Sequence, residues 1–154
     1  IYVPEIITTK GFFGYLRNWE RQFYNSTSID IVKFVRNKDL KWFDPLQRGP
    51  EDSDWDRRIV GVRTTSDYPI YHNDKVSVIS YFKKKAYYCQ SMIRYARKHP
   101  EDRVLDWRWR CFGVFFEQGK WRQVIRRPDL MLLVWLMIFA RGLIYLNKTE
   151  WGRK

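Results

Sequence analysis

Residues 130–146 read LMLLVWLMIFARGLIYL, an apolar run of 17 residues that only Arg141 interrupts. A helix of this length rises roughly 25 Å, which is close to the shortest helix that crosses the hydrocarbon core of a bilayer. Apolar residues fall on every side of it, so the helix has no polar face to turn towards water. A chain of this size offers little protein in which to bury such a helix. The run therefore predicts a single transmembrane helix over residues 128–147.

The residues on either side of the run also fit a membrane helix. Pro128 suits the first position of a helix, and Asp129 suits the positive end of the helix dipole. Arg126 and Arg127 precede the run and Lys148 follows it, within the short flanks where cations meet lipid headgroups. Three aromatic residues fall where an interfacial belt is expected, with an apolar ring in lipid and a polar edge in water: Trp121, Tyr145 and Trp151.

Arg141 is the exception inside the run. About 8 Å of helix separates it from Leu146, so its guanidinium can reach headgroups at the C-terminal side or meet a partner's carboxylate. We expect five residues to contact a lipid headgroup or a partner: Lys120, Trp121, Arg126, Arg127 and Arg141. The alternative is a core helix of a soluble domain with Arg141 at its rim, because runs near this length are ambiguous.

Composition points to a chain that other molecules cover. The 154 residues carry a formal net charge of +12, which favours acidic partners such as anionic lipid, nucleic acid or acidic protein surfaces. Aromatic residues make up 18% of the chain, and aromatic residues together with Arg are enriched at protein interfaces. The first residue is Ile1 rather than Met; removal of a mitochondrial presequence is one explanation for this, and a boundary set for other reasons explains it equally.

Apolar spacing predicts a mainly α-helical fold with several short amphipathic helices. Residues 1–127 form a basic, aromatic-rich soluble or peripheral region, residues 128–147 the transmembrane helix, and residues 148–154 a short tail. Within the first region we expect helices near 10–25, 28–38, 74–98 and 100–118. Residues 41–73 are expected to be a long irregular loop, because prolines and glycines recur there among charges. The basic face of 74–98 suits anionic lipid or RNA, and a solvated helix face explains it equally.

Catalytic and metal-binding motifs are missing. The sequence contains no GxGxxG, P-loop, HExxH or GxSxG, and His72 and His99 have no nucleophile or carboxylate at a diagnostic spacing. Cys89 and Cys111 form no CxxC and match no zinc-finger spacing. The acidic residues of 52–56 lack the full pattern of a calcium loop. We therefore expect no catalytic residue, no cofactor and no metal.

The last third of the chain resembles subunit f of the mitochondrial ATP synthase, within a wider likeness to single-pass accessory subunits of mitochondrial inner-membrane complexes. Such subunits carry an aromatic, glycine-containing basic stretch before a C-terminal helix and a short charged tail. Here the corresponding segments are 112–116 (FGVFF), 120–122 (KWR), the 130–146 run and 147–154.

The resemblance implies a non-catalytic structural subunit. Such a subunit would pack beside the proton-translocating subunit, support assembly or dimerisation, and bind lipid such as cardiolipin. Counting positive charges places the basic flank and the N-terminal region on the matrix side. Three alternatives stay open: an accessory subunit of a respiratory-chain complex, an RNA-binding protein of an organellar ribosome, and a small membrane enzyme. Nucleic acid is the less favoured partner, and the enzyme requires a cofactor that copurifies with the chain.

Overall fold

A computed structural model of the chain describes residues 1–8, 10–29, 33–73 and 77–151, the last three of these by the course of the helix alone. Its seven α-helical segments are α1 Phe12–Arg21, α2 Glu51–Arg58, α3 Val78–Tyr88, α4 Met92–Lys98, α5 Val114–Phe116, α6 Trp121–Arg126 and α7 Pro128–Trp151. Two short strands are β1 Glu5–Ile7 and β2 Ile70–His72. The predicted fold class is confirmed: the described chain is mainly helical and ends in one long apolar helix.

The two strands pair in parallel and attach the N-terminal segment to the middle of the chain. Glu5 lies opposite Ile70, and Ile7 lies opposite His72. Tyr2 extends the pairing, because it bridges Lys33 and Thr65 on its two sides. The N-terminal segment is therefore held by backbone hydrogen bonds to two distant parts of its own chain.

The hydrophobic core lies between α1, the segments after α4, and the first half of α7. Leu16 and Trp19 recur at helical spacing on α1, and Phe23 follows them in a 3₁₀ turn over Gln22–Tyr24. The Phe23 ring lies 4.9 Å from the Phe115 ring and 4.8 Å from the Trp19 ring, centroid to centroid. Further members of this core are Tyr24, Tyr95, Val104, Trp109, Val114, Val124, Leu130, Met131, Val134 and Met137.

The helix predicted over 28–38 is wrong in its described part. Lys33 forms an antiparallel bridge with Tyr2, and the backbone N–H of Phe34 donates to the carbonyl of Ile1 over 2.9 Å. Among residues 28–29 and 33–39, helical structure is limited to a 3₁₀ turn over Asn37–Asp39. β-branched and aromatic residues favour an extended chain where a neighbouring strand offers pairing, and the N-terminal segment offers it. Residues 30–32 of this predicted helix lie outside the described residues.

The helices predicted near 74–98 and 100–118 are both interrupted. Ser77 caps α3 through a reciprocal capping box with Ser80, and Asp74, near which we expected this helix to begin, lies outside the described residues. The helix then narrows to a 3₁₀ turn over Cys89–Ser91, where the Ser91 hydroxyl donates to the carbonyl of Gly49 over 2.6 Å. A loop from the 41–73 segment therefore packs against the point at which α3 gives way to α4.

After Pro100 the chain forms short turns instead of one helix. The Asp102 carboxylate accepts from the N–H of Val104, and the Asp106 carboxylate accepts from the N–H of Arg108. Side chains that bond the backbone two residues ahead compete with helix formation, which explains the breaks. The segment consists of a 3₁₀ turn over Arg103–Leu105, a π-helical turn over Trp109–Gly113, α5 and a 3₁₀ turn over Glu117–Gly119.

The segment 41–73 is largely irregular, as predicted, but it contains α2 and β2. Pro50 precedes α2, acidic residues fill its first turn, and Arg57 and Arg58 occupy its last turn. This arrangement complements the helix dipole at both ends. The charges that we interpreted as loop composition therefore stabilise a short helix.

Candidate functional site: the two faces of the C-terminal helix

One face of α7 packs against the rest of the protein. Leu130 and Val134 are fully buried, and Met131 and Met137 are almost so. The indole N–H of Trp135 donates to the carbonyl of Cys111 over 2.8 Å. Helices α1, α3 and α6 all contact α7. The apolar helix is thus an integral part of the core and not a tail beyond it.

The opposite face of α7 is apolar and exposed. It carries five large residues spaced alternately four and three apart, which we call the apolar stripe: Leu132, Leu136, Phe139, Leu143 and Leu146. Phe139 is 67% exposed and the four leucines are between 52% and 58% exposed. Residues at this spacing lie on one side of a helix, so the stripe is continuous. It spans roughly 21 Å along the helix axis.

Length and composition make α7 a candidate membrane span. Among the described residues, one helix is long and apolar enough to cross a bilayer, Pro128–Lys148, with a mean hydropathy of 1.9. Of its most apolar window, 22% is buried inside the protein. A core helix of a soluble protein passes the same test of length and composition but is mostly buried.

Arg141 lies on the packed face, where it is held by its own chain. Its Nη2 atom donates to Oε1 of Glu20 over 2.7 Å, and its Nη1 atom donates to the hydroxyl of Tyr81 over 3.0 Å. Its Nε atom also donates to the carbonyl of Met137 over 3.3 Å. The carboxylate that Arg141 meets therefore belongs to α1 of the same chain.

Two of the basic residues expected to contact headgroups already hold partners within the chain. The Lys120 ammonium donates to the carbonyl of Phe23 over 2.8 Å, and burial lowers its pKa below the usual range even though Glu117 lies nearby. Arg127 forms an ion pair with Asp129 at 2.7 Å and donates to the Tyr15 hydroxyl over 2.8 Å. Both cations fix the approach of the chain to α7.

The other predicted contacts lie at the surface beside α7. Arg126 is exposed, and Trp121 is 42% exposed with the Arg122 guanidinium 5.5 Å from its ring centroid. Tyr145 is half-buried near the C-terminal end of the stripe. The Trp151 side chain lies outside the described residues, as do residues 152–154 of the tail. Arg126 and Trp121 are therefore the members of the predicted set that an external ligand reaches most directly.

We did not predict from the sequence which side chains bind Arg141. Glu20 is fully buried on α1 and forms ion pairs with both Arg17 and Arg141. Tyr81 is 6% exposed and is the second partner of Arg141. The available signal was an unpaired arginine in an apolar helix, which calls for a buried acid elsewhere in the chain.

Within the described ranges, no three His, Cys, Asp or Glu side chains converge on a possible metal position. The acidic residues of 52–56 serve the structure instead. Asp54 forms ion pairs with Arg58 and Lys98, and Asp56 accepts a hydrogen bond from the Tyr2 hydroxyl over 3.0 Å. Burial and the Asp56 carboxylate raise the pKa of Tyr2 to about 12.

Fold and surface together define a mainly α-helical protein whose C-terminal apolar helix is long enough to cross a membrane. Comparison with known proteins adds no relative: no family model, curated protein or solved structure matches the chain.

Proposed function

We propose that this chain is a non-catalytic structural subunit of a membrane protein complex, and that the apolar stripe of α7 contacts the hydrocarbon of the bilayer. The exposed stripe carries the proposal. Five large apolar side chains aligned over about four turns lose much of their free energy of burial if they face water. A helix that turns such a stripe outwards and an ion pair inwards matches the pattern of transmembrane helices, in which charged residues face protein.

The packed face of α7 bears on how such a subunit would meet the membrane. Glu20 of α1 and Tyr81 of α3 both bind Arg141. These two helices therefore pack beside α7 as far along it as Arg141. A span by α7 would bring these two helices to the membrane beside it. Both expose apolar side chains that suit this position: Phe12 and Tyr15 on α1, and Val78 and Ile79 on α3.

The resemblance of the last third of the chain supports a finer proposal. On that basis we assign the subunit to a mitochondrial inner-membrane energy-transducing complex, and the membrane region of ATP synthase is the favoured candidate. The N-terminal region would lie on the matrix side, and cardiolipin would be a lipid partner. Exposed Trp121 and Arg126, at the two ends of α6, supply an interfacial ring and a cation for such a lipid.

Alkaline carbonate extraction of source membranes tests the membrane contact. The native chain should stay in the membrane pellet, and a Leu136→Glu/Phe139→Glu variant should be released, because each buried carboxylate costs roughly 3 kcal/mol at the centre of a span. The matched control is Val62→Glu/Tyr68→Glu, which adds the same charge at residues 100% and 82% exposed. Release of the native chain, or equal behaviour of the two variants, would contradict the proposal.

Native gel electrophoresis in mild detergent, followed by mass spectrometry of the band, tests the complex. Comigration with ATP synthase subunits supports the finer proposal. Comigration with a respiratory complex keeps the structural role and replaces the complex. Comigration with ribosomal proteins would favour the RNA-binding alternative and contradict the membrane role.

A further inference from the structure

Six polar side chains from separate segments meet where α1, α3 and α7 pack together. We call them the Tyr81 cluster: Arg17, Glu20, Tyr81, Lys85, Arg110 and Arg141. The Arg17 guanidinium lies 4.6 Å from the Tyr81 ring centroid, and the Lys85 ammonium lies 5.5 Å from it. Three cations, Arg17, Lys85 and Arg141, thus lie at Tyr81, and Arg110 is near enough to affect the pKa of both Tyr81 and Lys85.

Neither oxygen of the Glu20 carboxylate pairs with Lys85. Glu20 Oε1 accepts from Arg141, and Glu20 Oε2 is paired with Arg17. Within the described part of the chain, Lys85 has neither a hydrogen bond nor an ion pair; its ammonium only faces the rings of Tyr81 and Tyr88, at 5.5 and 5.9 Å. Aromatic faces compensate a desolvated cation only partly.

Cations outnumber carboxylates at the cluster. Burial together with Arg17, Arg141 and Arg110 lowers the pKa of Lys85 to about 7. Burial alone would raise the pKa of the Tyr81 hydroxyl, but Arg141 and Arg17 outweigh burial and lower it. A site that disfavours its own cations in this way favours an anion.

We propose that the Tyr81 cluster binds a phosphate group, free or carried by a phospholipid headgroup, which Lys85 and Arg17 hold. Phosphate offers several acceptor oxygens at once, and it suits a site in which arginine forks and one ammonium converge from different segments. The membrane contact proposed above bears only on the source of the phosphate, because the charge imbalance exists whether or not α7 lies in lipid.

Thermal unfolding of the purified full chain in neutral detergent tests the site. We expect inorganic phosphate, compared with chloride at matched ionic strength, to raise the Tm of the native chain. Lys85→Gln should weaken phosphate binding about 10-fold, the loss expected for one charge-assisted hydrogen bond. Lys84→Gln is the matched control, since it removes the same charge from an exposed neighbour on α3.

A second arm distinguishes the source of the phosphate. Mixed micelles containing phosphatidylglycerol are compared with micelles containing phosphatidylcholine, whose choline neutralises the headgroup. Stabilisation by both inorganic phosphate and phosphatidylglycerol supports a site for the phosphate group itself. Stabilisation by phosphatidylglycerol alone assigns the site to a lipid headgroup. Stabilisation by inorganic phosphate alone assigns it to the free ion.

No stabilisation by either ligand would overturn the site, and so would equal losses in Lys85→Gln and Lys84→Gln. Neither result bears on the carbonate experiment, because that experiment tests the apolar stripe and not the Tyr81 cluster.

Discussion

Arg141 of α7 and Glu20 of α1 form an ion pair at 2.7 Å across 121 residues of sequence, with side chains 15% and 1% exposed. The pair joins the most apolar helix of the chain to its N-terminal domain. Removing one partner of a buried pair leaves the other charge without compensation, which is more damaging than removing both. The pair therefore determines how α7 is oriented about its own axis: charge towards protein, apolar stripe outwards.

A double-mutant cycle tests this pair. Arg141→Met should lower the free energy of unfolding by roughly 3 kcal/mol, because Glu20 keeps only Arg17 as a partner. The Arg141→Met/Glu20→Gln variant should be less destabilised than the sum of the single variants. Denaturant unfolding in detergent gives each value.

Arg126→Met serves as the control, since Arg126 is exposed and its removal should change stability by no more than about 0.5 kcal/mol. Additive effects at Arg141 and Glu20 would show that the two side chains are not coupled.

Asp102 gives a second prediction, on acid stability. Its carboxylate accepts two hydrogen bonds from Arg57, both 2.7 Å long, and others from the Tyr95 hydroxyl and the Val104 N–H. Burial raises the pKa of Asp102, but these hydrogen bonds outweigh burial and hold it below its usual range.

A lowered folded-state pKa contributes stability that is present above the unfolded-state value and is lost as pH falls through the folded value. Stability of the native chain should therefore fall below about pH 4, a loss that Asp102→Asn should reduce. The same variant should be less stable at pH 7 by roughly 3 kcal/mol, because Arg57 loses its charged partner. Asp67→Asn, at an exposed position, should follow the native pH profile. Identical profiles for the Asp102 variant and the native chain would refute the assignment.

Local sequence patterns predicted the helices that neighbouring residues stabilise. The 130–146 run identified α7, and apolar spacing identified a helix near 10–25, where the structure has α1. The dipole-matched charges of α2 also carried a helix signal, which recurring prolines and glycines outweighed in our interpretation. Such features can be recognised in a sequence because the groups that stabilise them lie within one or two helical turns.

Contacts between distant segments were not predictable in the same way. Lys33 is extended where Tyr2 pairs with it. The helix is interrupted between α3 and α4, where the Ser91 hydroxyl donates a hydrogen bond to the carbonyl of Gly49. Likewise the partner of Arg141 was expected in lipid or another subunit, whereas tertiary packing supplies Glu20. Helix propensity is weak compared with such tertiary contacts, so a single sequence could not reveal them.

Lys85 gives a third prediction, on the alkaline side of neutrality. Its pKa of about 7 in the folded chain lies below the ordinary lysine value of 10.5, so the unfolded chain binds more protons between these values. Stability in phosphate-free buffer should therefore rise as pH increases from about 7 to 9, and this rise should be smaller in Lys85→Gln.

Saturating phosphatidylglycerol should raise the Lys85 pKa and flatten the rise in the native chain. Its phosphodiester stays singly charged across this range, so the ligand itself adds no slope. A native chain whose pH profile matches that of Lys85→Gln with and without lipid would show that Lys85 does not titrate there.

Gly49 and Gly142 make a matched pair for the fourth prediction, on backbone geometry. Gly49 has a φ of +151°, and a Cβ atom added to it would lie 2.7 Å from Cγ of Tyr88. Gly49→Ala should therefore destabilise the chain by roughly 1–3 kcal/mol, through both backbone strain and overpacking against the ring. Gly142 lies in α7 with nothing within 4 Å of an added Cβ, so Gly142→Ala should stabilise it by about 0.5–1 kcal/mol. Opposite shifts in denaturant midpoint are the expected result; equal shifts would mean that the contact between Gly49 and Tyr88 does not constrain α3.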